Sequence, residues 1–117
     1  MLETNKVKYF QLRLKKTSNL NLLKIAKKIK KIVKKNNVKF IINDKPIVAK
    51  VADADGCHIG QKDMDFNTAR KILGKNKIIG VTCHNSIKLA KNASSNGADY
   101  IAIGAFYKTK TKKVIYK

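Results

Sequence analysis

The sequence predicts an α/β domain built on a parallel sheet. Two observations carry that expectation. Short apolar blocks alternate five times with stretches of helical hydrophobic spacing, the signature of consecutive βαβ units. Polar and charged residues then gather just after the apolar blocks: Lys15, Asn43-Asp44, Gly60-Gln61-Lys62-Asp63, His84 and Thr109 to Lys112. The carboxyl edge of the strands is where α/β folds hold their ligands.

Taken in order, Tyr9 to Leu14 reads as the first strand. Thr17, Ser18 and Asn19 offer N-cap side chains. Leu22, Ile25, Ala26, Ile29, Ile32 and Val33 follow at helical spacing, with lysines on the other face. Asn36 and Asn37 stop that helix. Val38 to Ile42 is a second strand, running directly into Asn43-Asp44. A short helix over Pro46 to Val51 is compatible with proline in a first turn. Ala54 to Ile59 contains the third strand. Asp65 caps a helix over Phe66 to Leu73, and Gly74 ends it. Ile78 to Thr82 is the fourth strand. Asn85 or Ser86 opens a helix closed by Gly97, and Tyr100 to Ile103 is the fifth strand. The basic tail from Lys108 is assigned no element.

The 117 residues suit one domain, 1–117, with one core. The formal net charge of +20 raises the question of a nucleic-acid or acidic-membrane partner. Enrichment of Lys, Asn and Ile together is the plainer reading, and most lysines fall on predicted solvent faces. The interleaved aromatic and basic residues of a strand-binding platform are lacking, so nucleic acid is not the expected main partner. No apolar run approaches the roughly 18 residues of a membrane span, and none is expected. Met1 to Lys8 lacks the apolar core of a signal peptide, so Cys57 and Cys83 read as reduced thiols of a cytoplasmic protein.

Several residues invite chemistry. Gln11, Arg13 and Lys15 alternate and so point to one side of a strand, towards a ligand or, equally, towards water at a sheet edge. Asp44 and Asp63 each follow a strand. Two carboxylates at one sheet edge suit Mg2+, which takes one or two carboxylates plus substrate phosphates; two exposed loop aspartates are the alternative. Cys57-His58 and Cys83-His84 look superficially like zinc ligands. Neighbours on a strand point to opposite faces, however, and the C-x2-C spacing is absent. His58 is therefore expected to face a ligand while Cys57 packs on the other side. Thr109, Thr111 and Lys112 offer hydroxyls and an ammonium for phosphate oxygens, though basic tails are common.

Together these residues resemble one family. Gln11-Leu12-Arg13 with Lys15, Ile42-Asn43-Asp44, the run Ala54 to Gln61 with Asp63, Gly80-Val81-Thr82-Cys83-His84, Ala98-Asp99-Tyr100 with Ala105, and Thr109 with Thr111-Lys112 are similar in order and spacing to thiamine-phosphate synthase. The resemblance runs from about Tyr9 to Lys113. It implies a partial (β/α)8 TIM-type barrel with about five parallel strands, corresponding to barrel strands two to six. It also implies transfer of a hydroxymethylpyrimidine group from its diphosphate to a thiazole phosphate, with release of pyrophosphate. By resemblance Asp44 and Asp63 hold Mg2+. Arg13, Lys15, Asn43 and Lys112 grip the diphosphate, and Arg13, Lys15 and Lys112 carry catalysis. Gln11, His58 and Thr82 line the pyrimidine side, and Thr109 and Thr111 face the thiazole phosphate.

The departures are Thr82 for a serine, Lys45 for an arginine, Cys57 for a valine and Ala105 for a proline. A complete barrel of this kind takes about 200 residues or more. Without barrel strands one, seven and eight, two sheet edges are expected to lie open. Self-association, with a homodimer as the simplest form, or a complementing chain would cover them. Two other readings stand beside the synthase: a non-catalytic half-barrel that binds phosphorylated ligands, and a basic nucleic-acid-binding protein.

Overall fold

The structure, a computed structural model, describes residues 8–104 and 114–116. Its elements run β1 (Tyr9–Leu12), α1 (Asn19–Lys35), β2 (Lys39–Asn43), α2 (Pro46–Val51), β3 (Gly56–Ile59), α3 (Phe66–Leu73), β4 (Ile78–His84), α4 (Ile87–Asn96), β5 (Tyr100–Gly104) and β6 (Val114–Tyr116). The strands lie side by side in chain order. β1 to β5 are parallel, and β6 returns antiparallel along β5.

The helix ends follow from local chemistry. Ser18 Oγ accepts from Asn21 N, Asp65 from Thr68 N and Ser86 from Leu89 N, each at 3.1 Å. Each bond satisfies an otherwise orphaned amide of a first turn. Gly97 closes α4 at φ 98°, a left-handed conformation that glycine adopts without strain.

Strand alternation divides the sheet into two faces. Phe40, Ile42, Cys57, Ile59, Ile79, Val81 and Cys83 pack with Leu22, Ala26, Val33, Ala49, Ala69 and Ala93 of the helices in one buried core. Gln11, Asn43, His58, Thr82 and Tyr100 belong to the other face. That face is concave. In a flat sheet β1 and β5 would lie roughly 19 Å apart, at about 4.8 Å per strand. The rings of Tyr9 and Tyr100, one from each, approach to 6.5 Å between centroids. The five parallel strands thus curl into a half-barrel with its helices outside.

Two expectations are corrected. β1 ends at Leu12 rather than Leu14, because its last partner is Ile42 and β2 turns away at Asp44, where φ is 69°. Arg13 and Lys15 therefore stand beyond the strand. The second edge lies at β6 rather than β5, since β6 covers β5. Among the described residues, β1 and β6 are the two outer strands of the sheet. No helix among them is long and apolar enough to cross a membrane.

The strand starts are pinned by carboxylates. Asp55, just before β3, accepts from Phe40 N of β2 at 2.7 Å. Asp99, just before β5, accepts from Ile79 N of β4 and from Arg70 of α3, both at 2.8 Å. Asp99→Ala orphans a partly buried amide and is expected to cost about 1–3 kcal/mol. The half-exposed ion pair with Arg70 adds little to that. Asp99→Asn, which keeps an acceptor, should recover most of the loss in urea denaturation. Equal midpoints for parent and Asp99→Ala would refute this role.

Candidate active site

The concave face opens at the carboxyl ends of the strands into a groove of about 710 Å3. Its lining brings together Gln11, Arg13, Asn43, Asp44, His58, Asp63 and Thr82, all expected there from the sequence. Lys15 is not part of the lining and occupies the exposed turn after β1. Thr109, Thr111 and Lys112 lie outside the described residues.

Register places the inner groups. Asn43 is paired with His58, and His58 with Gly80. The Gln11 side-chain amide donates to Asn43 Oδ1, joining β1 to β2. His58 is buried and uses both ring nitrogens: Nε2 lies 2.6 Å from Thr82 Oγ1, and Nδ1 lies 2.9 Å from the Tyr100 hydroxyl. Tyr100 reaches it by lying across Gly80, where a Cβ would fall 2.0 Å from the phenol ring. Burial pushes the His58 pKa down to about 4 against the opposing charge of Asp63. The ring is therefore neutral near pH 7, with one donor and one acceptor nitrogen. Cys57 points the other way, into the helix-side core, and burial raises its thiol to about 12. Such a thiol is not a nucleophile.

The outer rim is acidic at one point. Asp44 follows β2 in a left-handed conformation, and its backbone N–H donates to His58 O at 2.7 Å. Asp63 lies within the β3–α3 loop, where its Oδ2 accepts from Gly60 N at 2.7 Å. The two carboxyls come together. Burial first, then a hydrogen bond to Asp63 and its charge, raise the Asp44 pKa to about 6, against the opposing pull of Arg13 and Asn43. A carboxyl pair that resists double ionisation, beside a guanidinium, suits a divalent cation carrying an anionic ligand.

Sequence reasoning did not single out Tyr100, Gln61 or His84 as site residues. Gln61 and His84 lay within the polar clusters after strands, which was signal enough to include them. Tyr100 stood only as part of a spacing pattern; the glycine that lets its ring cross to His58 is twenty positions away in the chain.

Known proteins resemble this chain in sequence and in fold. The family described as thiamine monophosphate synthase matches residues 1–116. A thiamine-phosphate synthase of Pelagibacter ubique is 67% identical over 117 residues, covering 100% of this chain and 56% of that protein. One from Methanobrevibacter smithii is 49% identical over 106 residues, 91% of this chain and 50% of its own. A solved structure, thiamine phosphate pyrophosphorylase from Pyrococcus furiosus, superposes with a TM-score of 0.81 at 30% identity, over 87% of this chain and 50% of that one. The chain spans about half the length of the curated relatives it matches.

The carboxyl pair has a consequence for stability. The Asp44 pKa is raised on folding, so its stabilising contribution is full below about pH 4 and is lost as pH rises through about 6. Allowing for solvent screening of a partly exposed group, the loss is of order 1 kcal/mol. Asp44→Asn is expected to be more stable than the parent at pH 7.5 and no more stable at pH 4. Chemical denaturation at the two pH values checks this, and a parallel pH dependence in both proteins would contradict it.

Proposed function

The chain belongs to the thiamine monophosphate synthase family, and from that premise we propose that it binds hydroxymethylpyrimidine diphosphate with Mg2+ and transfers the pyrimidine to a thiazole phosphate. The observation that carries this reading is the meeting of Asp44, Asp63 and Arg13 at the rim above a neutral, doubly hydrogen-bonded His58. Among the described residues no cluster of three or more His, Cys, Asp or Glu side chains suits a metal. Two carboxylates with the remaining oxygens from diphosphate and water is the Mg2+ pattern.

In this reading, bound Mg2+ supplies positive charge to the departing pyrophosphate. Arg13 takes a share of that charge at the groove, with Lys15 and Lys112 as its proposed partners from the flanking segments. The neutral polar floor of Gln11, Asn43, His58 and Thr82 receives the pyrimidine, whose ring nitrogens and amine need both donors and acceptors. The carbon–oxygen bond breaks with its electron pair leaving on pyrophosphate. The thiazole nitrogen then donates a pair to the pyrimidine methylene carbon. No side chain has to move a proton for this exchange, so positioning and charge neutralisation carry the rate. Thr109 and Thr111 are proposed to face the thiazole phosphate.

Asp44→Ala and Asp63→Ala are each expected to abolish Mg2+-dependent binding of the pyrimidine diphosphate in calorimetry. Parent-like binding by both variants would remove the metal assignment. With both substrates present, thiamine phosphate and free pyrophosphate should be followed separately. Strong diphosphate binding with slow synthesis is expected of this chain alone. Turnover near about one per second, ordinary for an enzyme, would mean that the half-barrel suffices.

The unpaired side of β1 supports association with a second copy or a complementing chain. Sedimentation over a wide concentration range should show self-association, and a monomer throughout would count against it.

A further inference from the structure

We infer that Gln61 is a positioning residue that anchors the Asp63 loop to β4. The inference rests on the diphosphate–metal reading of the groove. The ladder between β3 and β4 stops at Ile59 and Val81, but β4 continues to His84. The next carbonyl of β4, that of Thr82, is taken by a side chain instead of a strand: Gln61 Nε2 donates to it at 2.6 Å. The amide thus does the work of the backbone N–H that β3 no longer offers at that level.

The loop beyond is closed on itself. Gly60 N donates to Asp63 Oδ2 at 2.7 Å, and Asp63 N donates to Gly60 O at 3.3 Å. Those bonds shape the loop but do not fix it to the sheet. Gln61 makes the tie to β4, and it does so at the residue whose hydroxyl pairs with His58 Nε2. The carboxyl facing Asp44 and the polar floor under it are therefore referenced to one residue, Thr82. The turn over residues 60–63, without this tie, would sample positions in which Asp63 no longer faces Asp44. The acceptor is a carbonyl, so the anchor must be a donor. It must also cross from the loop to the next strand, which a side chain of glutamine length does.

Gln61 is exposed, so its replacement leaves the core intact. Gln61→Met keeps the length and removes the donor; Gln61→Lys restores one. Amide exchange at Gly60, read by NMR in the ligand-free chain, should be about tenfold faster in Gln61→Met and near parent in Gln61→Lys. Affinity for inorganic pyrophosphate with Mg2+, by calorimetry, should fall about tenfold in Gln61→Met, on the scale of one lost hydrogen bond. The melting temperature should move by no more than about 2 °C, which separates positioning from general destabilisation. Unchanged Gly60 exchange in Gln61→Met overturns the inference, as does pyrophosphate affinity equal to the parent's. A parent that binds no magnesium pyrophosphate, with the exchange effect intact, speaks against the diphosphate site and for the anchor.

Discussion

The groove depends on the register of β2, β3 and β4. Asn43 stands opposite His58 and His58 opposite Gly80, so three successive strands present their polar or minimal residues to the same concave face. Side-chain direction has a period of two, and a slip of one residue in β3 would exchange His58 for Cys57. The slip would bury an imidazole among Ile42, Ile79 and the helices and leave a thiol on the groove floor. The hydrogen bonds of His58 to Thr82 and Tyr100 would both vanish. Core and site are thus two sides of one set of strand pairings.

That register is set outside the groove. Asp55 and Asp99 occupy equivalent places, each just before a strand, and each takes the amide of the second residue of the preceding strand. The same local device recurs two βα units apart, at the end of the sheet away from the groove. It defines where β2 and β4 begin relative to their neighbours. At the far end the corresponding control passes to side chains of the site itself: Gln11 to Asn43, and Gln61 to the Thr82 carbonyl. The opposite ends of the sheet therefore differ, one aligning the strands through carboxylates and one opening into the groove.

Much of this was legible in the residues. Ser18, Asp65, Ser86, Gly74 and Gly97 mark helix ends through local chemistry, and local chemistry is what a linear reading captures. The opposed directions of Cys57 and His58 follow from alternation alone. The end of β1 was not legible, because it is decided by the turn of β2 at Asp44, over thirty residues away. β6 was missed because Val114-Ile115-Tyr116 is too short a run, after a lysine-rich stretch, to declare a strand without its partner β5. The Tyr100 contact with His58 needs an empty position at Gly80, a fact about three strands at once. The groove residues Gln11, Arg13, Asn43, Asp44, His58, Asp63 and Thr82 were legible, because polar side chains at strand ends stand out from apolar surroundings.

Both cysteines lie fully enclosed on the helix side of the sheet, one on β3 and one on β4. Neither touches water unless a helix lifts. Their modification by a neutral thiol reagent would therefore time the parting of helices from strands, separately for two adjacent strands, with no label added to the chain. The groove, on the opposite face, would take no part in that reaction. A ligand seated there would slow it only by holding the whole half-barrel shut.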